Sequence, residues 1–400
     1  EVNFDYYGIN FDYMLKFDQQ GHELLSSVYY RSSQGRNTSD MTEDTTSIIE
    51  TGTLKQRSGQ DEYETELRIK ADYVKPFRNN EKFEAGYQAR IDLCNADFVL
   101  EDYDYDQNIW LTNSEFTNEI EVYRNIQDIY GMYSDKIIGI DYQLGLRMEY
   151  TDRVIKQVTT GEEYTYNKFI LFPTVHLTKQ FKNNYQVLLS YSRRINRPRH
   201  WHVNPFTRYI DRLNKRVGNP ELEPEFTDSY ELNFQKQFGK SFIAFETYYR
   251  QTNNKITRIR IQDTATTENV LIHTMDNVNR DYALGAELMA NLQLFEWWNI
   301  NASANFFNYR IEGEIVDEDV SQMKNTWNLR GNTTFRFKWG SRVQLTGFYS
   351  GPSVTAQGDR EAFYTVNAAL RQDFMKRKLS LTLMVRDIFK SRKFEFTTTG

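Results

Sequence analysis

The sequence predicts an all-β protein, a transmembrane antiparallel up-and-down β-barrel. Three observations carry that expectation. Runs of strict apolar–polar alternation follow one another almost without a break along the chain. Many of them reach about twelve residues or more, whereas strands of soluble domains average five or six. The links between them alternate short and long, as in barrels with tight turns on one side of a membrane and long loops on the other.

The runs lie near 3–17, 22–33, 62–77, 82–100, 115–134, 137–158, 163–180, 184–195, 226–239, 241–259, 279–295, 298–312, 325–338, 341–356, 361–376 and 378–390, about sixteen in all. Within 185–194, Tyr185, Val187, Leu189 and Tyr191 share one face, and Gln186, Ser190, Ser192 and Arg194 the other. Period-two alternation of this kind gives a strand with one apolar and one wet side. Leu284, Ala286, Leu288, Ala290, Leu292 and Leu294 stand opposite Glu287, Asn291 and Gln293. Trp327, Leu329, Phe335, Phe337 and Trp339 stand opposite Asn328, Arg330, Arg336 and Lys338. The polar faces carry charge at mid-strand, where a soluble core would be dry. A wide barrel inverts the order, with lipid outside and water inside. Closure also gives every backbone group a partner, which lipid requires.

Short links fall at Asp18–Gly21, Arg78–Glu81, Lys182–Asn184, Phe238–Lys240, Glu296–Trp297, Gly340 and Lys376–Arg377. Longer ones are 34–61, 101–114, 196–225, 260–278, 313–324 and 357–360. Aromatic residues bunch at the short turns, among them Phe77, Phe83, Phe238, Phe295, Trp297, Trp298 and Trp339, as an interfacial belt requires. With short turns in the periplasm, both ends of the chain are expected on the extracellular side. Natural barrels begin and end in the periplasm, so residues 1–400 read as a partial barrel domain of a longer protein.

Composition agrees. Only 39% of residues are hydrophobic, yet 15% are aromatic, which suits half-wet strands. No run of about 18 apolar residues occurs, so no transmembrane helix is expected, and barrel strands escape that test. A net charge of -6 speaks against nucleic acid as partner. Cys94 is the single cysteine, which excludes an internal disulfide; it reads as a packed neutral thiol.

Motifs for chemistry are few, and no enzyme is expected. Walker A, G-x-S-x-G, H-E-x-x-H and G-x-G-x-x-G do not occur. Asp102, Asp104 and Asp106 begin an EF-hand pattern, but its glycine position holds Gln107 and its twelfth residue is Asn113. That loop and the one with Glu312, Glu314, Asp317, Glu318 and Asp319 read as solvated acidic loops. His200 and His202 flank Trp201 without a carboxylate or cysteine at matching spacing, so they read as an aromatic–polar cluster at the rim. Trp201, Phe206, Arg208 and Tyr209 form the candidate ligand site, suited to stacking on a sugar ring or gripping an anionic group. No metal or cofactor is expected.

The segment YSRRINRPRHWHVNPFTRYID at residues 191–211 is followed by GNPELEPEFTDSYELNF at 218–234. Together they resemble the barrel of TonB-dependent outer-membrane receptors, in the branch related to glycan importers that pair with a surface lipoprotein. VRDIFKSRKF at 385–394 resembles the family's penultimate-strand region. The resemblance implies a barrel of about 22 strands. Sixteen would lie here, about one after residue 400 and about five before residue 1, with an N-terminal plug domain and a TonB box ahead of them. It implies import of a small solute, with outer-membrane lipid, a TonB-type energy-transducing protein and a surface lipoprotein as partners. Read physically, Asn219, Pro220, Pro224, Glu225 and Glu231 form a structural rim motif. The prolines hold the chain extended outside the rim. Glu225 and Glu231 are expected to pair with Arg193, Arg194 or Arg197.

Two other readings compete. One is a non-transporting barrel acting as a structural, secretion-complex or adhesion subunit. The other is a large soluble β enzyme, which would be extracted without detergent. Solute identity is not legible, because one architecture serves siderophores, vitamins, glycans and peptides.

Overall fold

The computed structural model describes residues 2–17, 20–46, 51–78, 81–211, 213–263, 270–315 and 318–398. Of its twenty-four strands, eight are pieces of two to four residues in the loops, and sixteen form the wall. The wall strands are β1 (Val2–Lys16), β2 (Glu23–Thr46), β3 (Thr51–Pro76), β4 (Lys82–Asp104), β5 (Asn118–Ile137), β6 (Ile140–Gln157), β7 (Glu162–Gln180) and β8 (Tyr185–Asn196). They continue with β9 (Glu225–Phe238), β10 (Ser241–Gln262), β11 (Leu271–Phe295), β12 (Trp298–Glu312), β13 (Gln322–Arg336), β14 (Ser341–Ser350), β15 (Phe363–Phe374) and β16 (Leu379–Val385).

Each wall strand pairs antiparallel with its successor, so the sheet is a meander in chain order. Among the described residues β1 and β16 do not pair with each other, and the meander is open rather than closed. The two faces separate as the alternation requires. In β9–β11 the apolar face carries Phe234, Phe245, Leu284 and Leu288, all exposed. The opposite face of the same strands carries Glu231, Glu246 and Glu287, with Glu246 and Glu287 directly opposite in register.

The belt at the short turns is a set of ring stacks. Phe295 and Trp297 lie 5.3 Å apart and nearly parallel, and Trp298 stacks on Phe335 at 5.6 Å. A second ladder crosses the same face further up. Tyr191, Tyr230, Tyr249 and Tyr282 follow one another across β8–β11 at 4.9, 6.3 and 6.4 Å. From Tyr230 to Phe238 a tilted strand climbs roughly 20 Å along the membrane normal. Two aromatic girdles with an apolar band between them are the outer-membrane pattern.

Several expected loops are strand instead. The link at 34–61 is the upper part of the β2–β3 hairpin, which pairs to Thr46 and Thr51. Strands of 24 and 26 residues exceed the nine to eleven that cross a bilayer, so this hairpin stands well clear of it. Both of its faces are wet there, the alternation fades, and cross-strand pairs such as Arg36–Asp61 at 2.6 Å take over. The link at 101–114 contains a strand, Ile109–Thr112, paired to the end of β4. Tyr103 and Trp110 hold it together by edge contact at 5.1 Å. The links at 260–278 and 313–324 likewise shorten to the ends of β10–β11 and to the hairpin Glu314–Ile315/Glu318–Asp319. Asp317 and parts of the turns at 18–21 and 78–81 lie outside the described residues.

Candidate functional site at the inturned loop 197–224

The long link between β8 and β9 does not project from the sheet. It folds back across the charged face of the wall. Its base is closed by Asn196, whose amide donates to Glu225 at 2.7 Å. His200–Val203 forms one helical turn, and the returning leg pairs with it. Gly218 N donates to Asn204 O at 2.8 Å and Asn219 N to His202 O at 2.7 Å. A Cβ on Gly218 would sit 2.4 Å from Asn204 O, so only glycine permits this approach. The tip is a hairpin, Arg208–Asp211 with Asn214–Arg216, and its second strand runs parallel beside Leu271–His273 of β11.

Two kinds of contact seat the loop. Val203 and Leu222 are fully buried with Ile120 of β5 and Ile155 of β6. Around this apolar plug the wall supplies charged donors and acceptors. Arg153 donates to the backbone carbonyls of Pro220 and Leu222 at 3.1 and 3.2 Å. Arg197 pairs with the buried carboxylate of Glu149. The 219–224 segment is therefore not extended outside the rim. It turns at Pro220–Glu221 and lies against the inner wall, because Leu222 has an apolar seat there and Arg153 satisfies the carbonyls it takes from water.

The expected partners of the two glutamates are also corrected. Glu225 accepts from Asn196 and from Ile256 N at 2.8 Å, and lies 3.4 Å from Lys255. Glu231 pairs with Arg250 at 3.0 Å and accepts from Ser229. Both cations come from β10, on the far side of β9 from the arginines of β8. Arg193 instead lies over the Phe226 ring at 5.3 Å, and Arg197 is taken by Glu149.

The four candidate ligand residues sit along the outgoing leg and tip hairpin of the loop. Phe206 and Arg208 converge on Phe98 of β4, at 6.3 and 5.3 Å from its ring centre, and Arg208 also donates to Gln60 at 2.9 Å. Trp201 is exposed, packs edge-on to His202 at 4.0 Å, and has the Arg216 guanidinium 5.8 Å above its ring. Arg216 is the register partner of Arg208, so Trp201 is tied to the same hairpin. The backbone of Tyr209 pairs with Lys215, and its side chain lies outside the described residues.

One cluster was not legible from spacing. His200 Nε2 lies 3.1 Å from Glu62 Oε1 and 3.5 Å from Glu64 Oε1, both on β3. The hydrogen bond to Glu62 raises the His200 pKa above its ordinary value, whereas burial lowers that of His202. Cys94 of β4 is buried, with its sulfur 3.7 Å from Glu62 Oε1. In the acidic loop, Asp102 accepts from Gln56 and Asn113 at 2.7 Å each, and Asp104 accepts from the backbone of Asp106 and Gln107.

An open meander with a lipid-type face, two aromatic girdles and a charged inner face defines an outer-membrane β-barrel. The chain belongs to the outer membrane protein beta-barrel family, which it matches over residues 15–400. Among curated proteins none matches the sequence. Among solved structures, the copper transporter OprC shares the fold at a TM-score of 0.68 and 12% identity, over 97% of this chain and 60% of that one. The ferric-catecholate import receptor Fiu of K12 E. coli does so at 0.67 and 11%, over 99% and 62%. The ferric yersiniabactin uptake receptor FyuA of Yersinia pestis does so at 0.63 and 11%, over 97% and 56%. The chain thus spans about three-fifths of the length of these structures and shares their fold.

Proposed function

We propose that residues 1–400 form part of the barrel of a TonB-dependent receptor that imports a nutrient. Solute is captured at the extracellular mouth and passes through a lumen closed by an N-terminal plug, which a TonB-type protein rearranges. The observation that supports this reading most directly is the inturned loop. Residues 197–224 cross the charged face from β3 to β11 and carry Trp201, Phe206 and Arg208 into the region a solute must pass. Aromatic faces and a guanidinium suit a glycan, a siderophore or an anionic peptide group. A surface lipoprotein capping the mouth fits the same reading.

A strain deleted for the gene tests it by growth on glycans, ferric siderophores and peptides as limiting nutrients. Loss of growth on one class is expected, restored by the wild-type gene and restored poorly by Trp201→Ala with Arg208→Ala. Normal growth of the deletion strain on every class would sink import and favour a structural or secretion subunit.

A further inference from the structure

We propose that Glu62, Glu64 and His200 form a binding site for a divalent first-row transition-metal ion, which clamps the inturned loop to β3. This reading is independent of the import proposal.

Three potential donor atoms converge from two distant parts of the chain. The three donor atoms lie within 4.8 Å of one another. Metal–ligand bonds of 2.0–2.1 Å in a tetrahedral site put neighbouring donor atoms about 3.3 Å apart. His200 Nε2 stands 3.1 and 3.5 Å from the two carboxylate oxygens, which brackets that edge. The third edge, between the two carboxylate oxygens, lies within 4.8 Å, and an ion would draw those oxygens together.

Charge around the cluster is mixed, with Arg31, Arg90, Arg124 and Arg153 lining the adjoining cavity beside Glu64, Glu66 and Asp92. Glu62 and Glu64 project from one face of β3 two residues apart, and their facing oxygens share a single imidazole. His200, Arg31 and Arg208 already bring positive charge to the two carboxylates, and a divalent ion would take the place of the imidazole proton between them. Arg31 reaches Glu64 only at 3.5 Å, through its other oxygen. Beside the cluster lies a cavity of about 220 Å³, lined by Glu64, Cys94, Arg124, Arg153 and His200 among others. It leaves room for water as a fourth ligand, and the neutral Cys94 thiol donates to Glu62 at 3.7 Å at its edge. Two carboxylates and an imidazole suit Zn²⁺ and its first-row neighbours better than Ca²⁺ or Mg²⁺.

The ligand from the loop is the consequential one. Metal bound here ties residue 200 to the wall, so the loop becomes metal-sensitive. Protons compete for His200, and binding weakens as pH falls. Glu62, Glu64 and Cys94 on the wall, with Arg31, Arg124 and Arg208 around them, set the local field.

The test uses the full-length receptor in detergent, stripped of metal and titrated with Zn²⁺ alone against a chelating dye at pH 8. One saturable site is expected. His200→Ala and Glu62→Gln should each weaken it by more than about tenfold. Zn²⁺ should also slow proteolysis of the loop in the wild type and leave His200→Ala unaffected. Heat-shifted mobility on gels checks that each variant is folded. No saturable binding to the wild type would overturn the proposal. So would binding that survives in both variants unchanged, and so would a loop whose cleavage ignores Zn²⁺.

Discussion

The guanidinium of Arg197 donates to the carboxylate of Glu149, whose side chain is only 2% exposed. The pair joins the first residue of the inturned loop to the inner face of β6. Thr151 also donates to Glu149, at 3.0 Å, but carries no charge, and Arg147 stays 3.9 Å away. Removing one partner of a buried ion pair strands the other, at a cost of about 3 kcal/mol. Arg197→Ala should lower stability by that order in urea unfolding from detergent. The double variant Arg197→Ala/Glu149→Gln should recover much of the loss. A double variant no better than the single would mean that the charge is not what matters.

Leu222 is fully buried between Val203, Ile120 and Ile155, and Arg153 holds the carbonyls on either side of Glu221. Leu222→Ala removes the apolar seat, and burial of this kind is worth about 2–5 kcal/mol. The wall has its own ladder, so the loss should be local. Hydrogen exchange of 217–222 should accelerate strongly while β5 and β6 stay protected. Uniform acceleration across the wall would show that the loop is part of one cooperative unit with it.

The sixteen wall strands were legible because lipid on one side and water on the other impose a two-residue period that little else produces. Alternation failed where that contrast ends. The upper β2–β3 hairpin is wet on both faces, so residues 34–61 read as loop although 34–46 and 51–61 pair in continuous register. The arrangement of the inturned loop was legible only in part. Local composition singled out Trp201, Phe206, Arg208 and Tyr209 as candidates, all of which lie on the inturned loop. It could not show that Glu62 and Glu64, from a strand far upstream, meet His200, because only the inturned loop brings them together. Nor could it show that Pro220 and Leu222 face inward. That depends on Arg153, a charge that sequence alone reads as a wet wall residue.

Leu288 tests the assignment of faces. It is half exposed, stands between the turn-end aromatics and the tyrosine ladder, and lies opposite Phe245 and Ala304. Its neighbour Glu287 points to the other side. Arginine facing lipid near the midplane costs about 2–4 kcal/mol. Leu288→Arg should therefore fold poorly into vesicles, while Glu287→Lys, opposite Glu246, should fold nearly as the wild type does. Equal effects would contradict the inside–outside assignment.

The turn between β5 and β6 holds an unfavourable residue. Ile138 and Gly139 have φ of 51° and 70°, a left-handed pair that suits asparagine–glycine and not a β-branched side chain. Ile138 is 89% exposed, so burial does little to offset the strain. Its carbonyl accepts from Lys179 at 2.8 Å, a bond that any residue would keep. Ile138→Asn should stabilise the protein by about 1 kcal/mol, read as a later unfolding midpoint. An earlier midpoint would assign the isoleucine a contact with lipid or a partner.

His200 gives the loop a pH dependence whose sign depends on metal. In the metal-free protein the hydrogen bond to Glu62 raises the His200 pKa above its ordinary 6.5. A raised folded-state pKa means that the contact stabilises fully below 6.5 and is lost as pH climbs through the folded value. His202 acts on the acid side of that window, because burial, helped by Arg199, lowers its pKa. Proteolysis of the loop without metal should therefore speed up from neutral into mildly alkaline solution, and His200→Gln should flatten that rise. With Zn²⁺ the trend should reverse, since the neutral imidazole binds the ion and protons displace it. The two trends cross only when one ring serves both roles, so the same slope with and without Zn²⁺ would leave His200 as a partner of Glu62 alone.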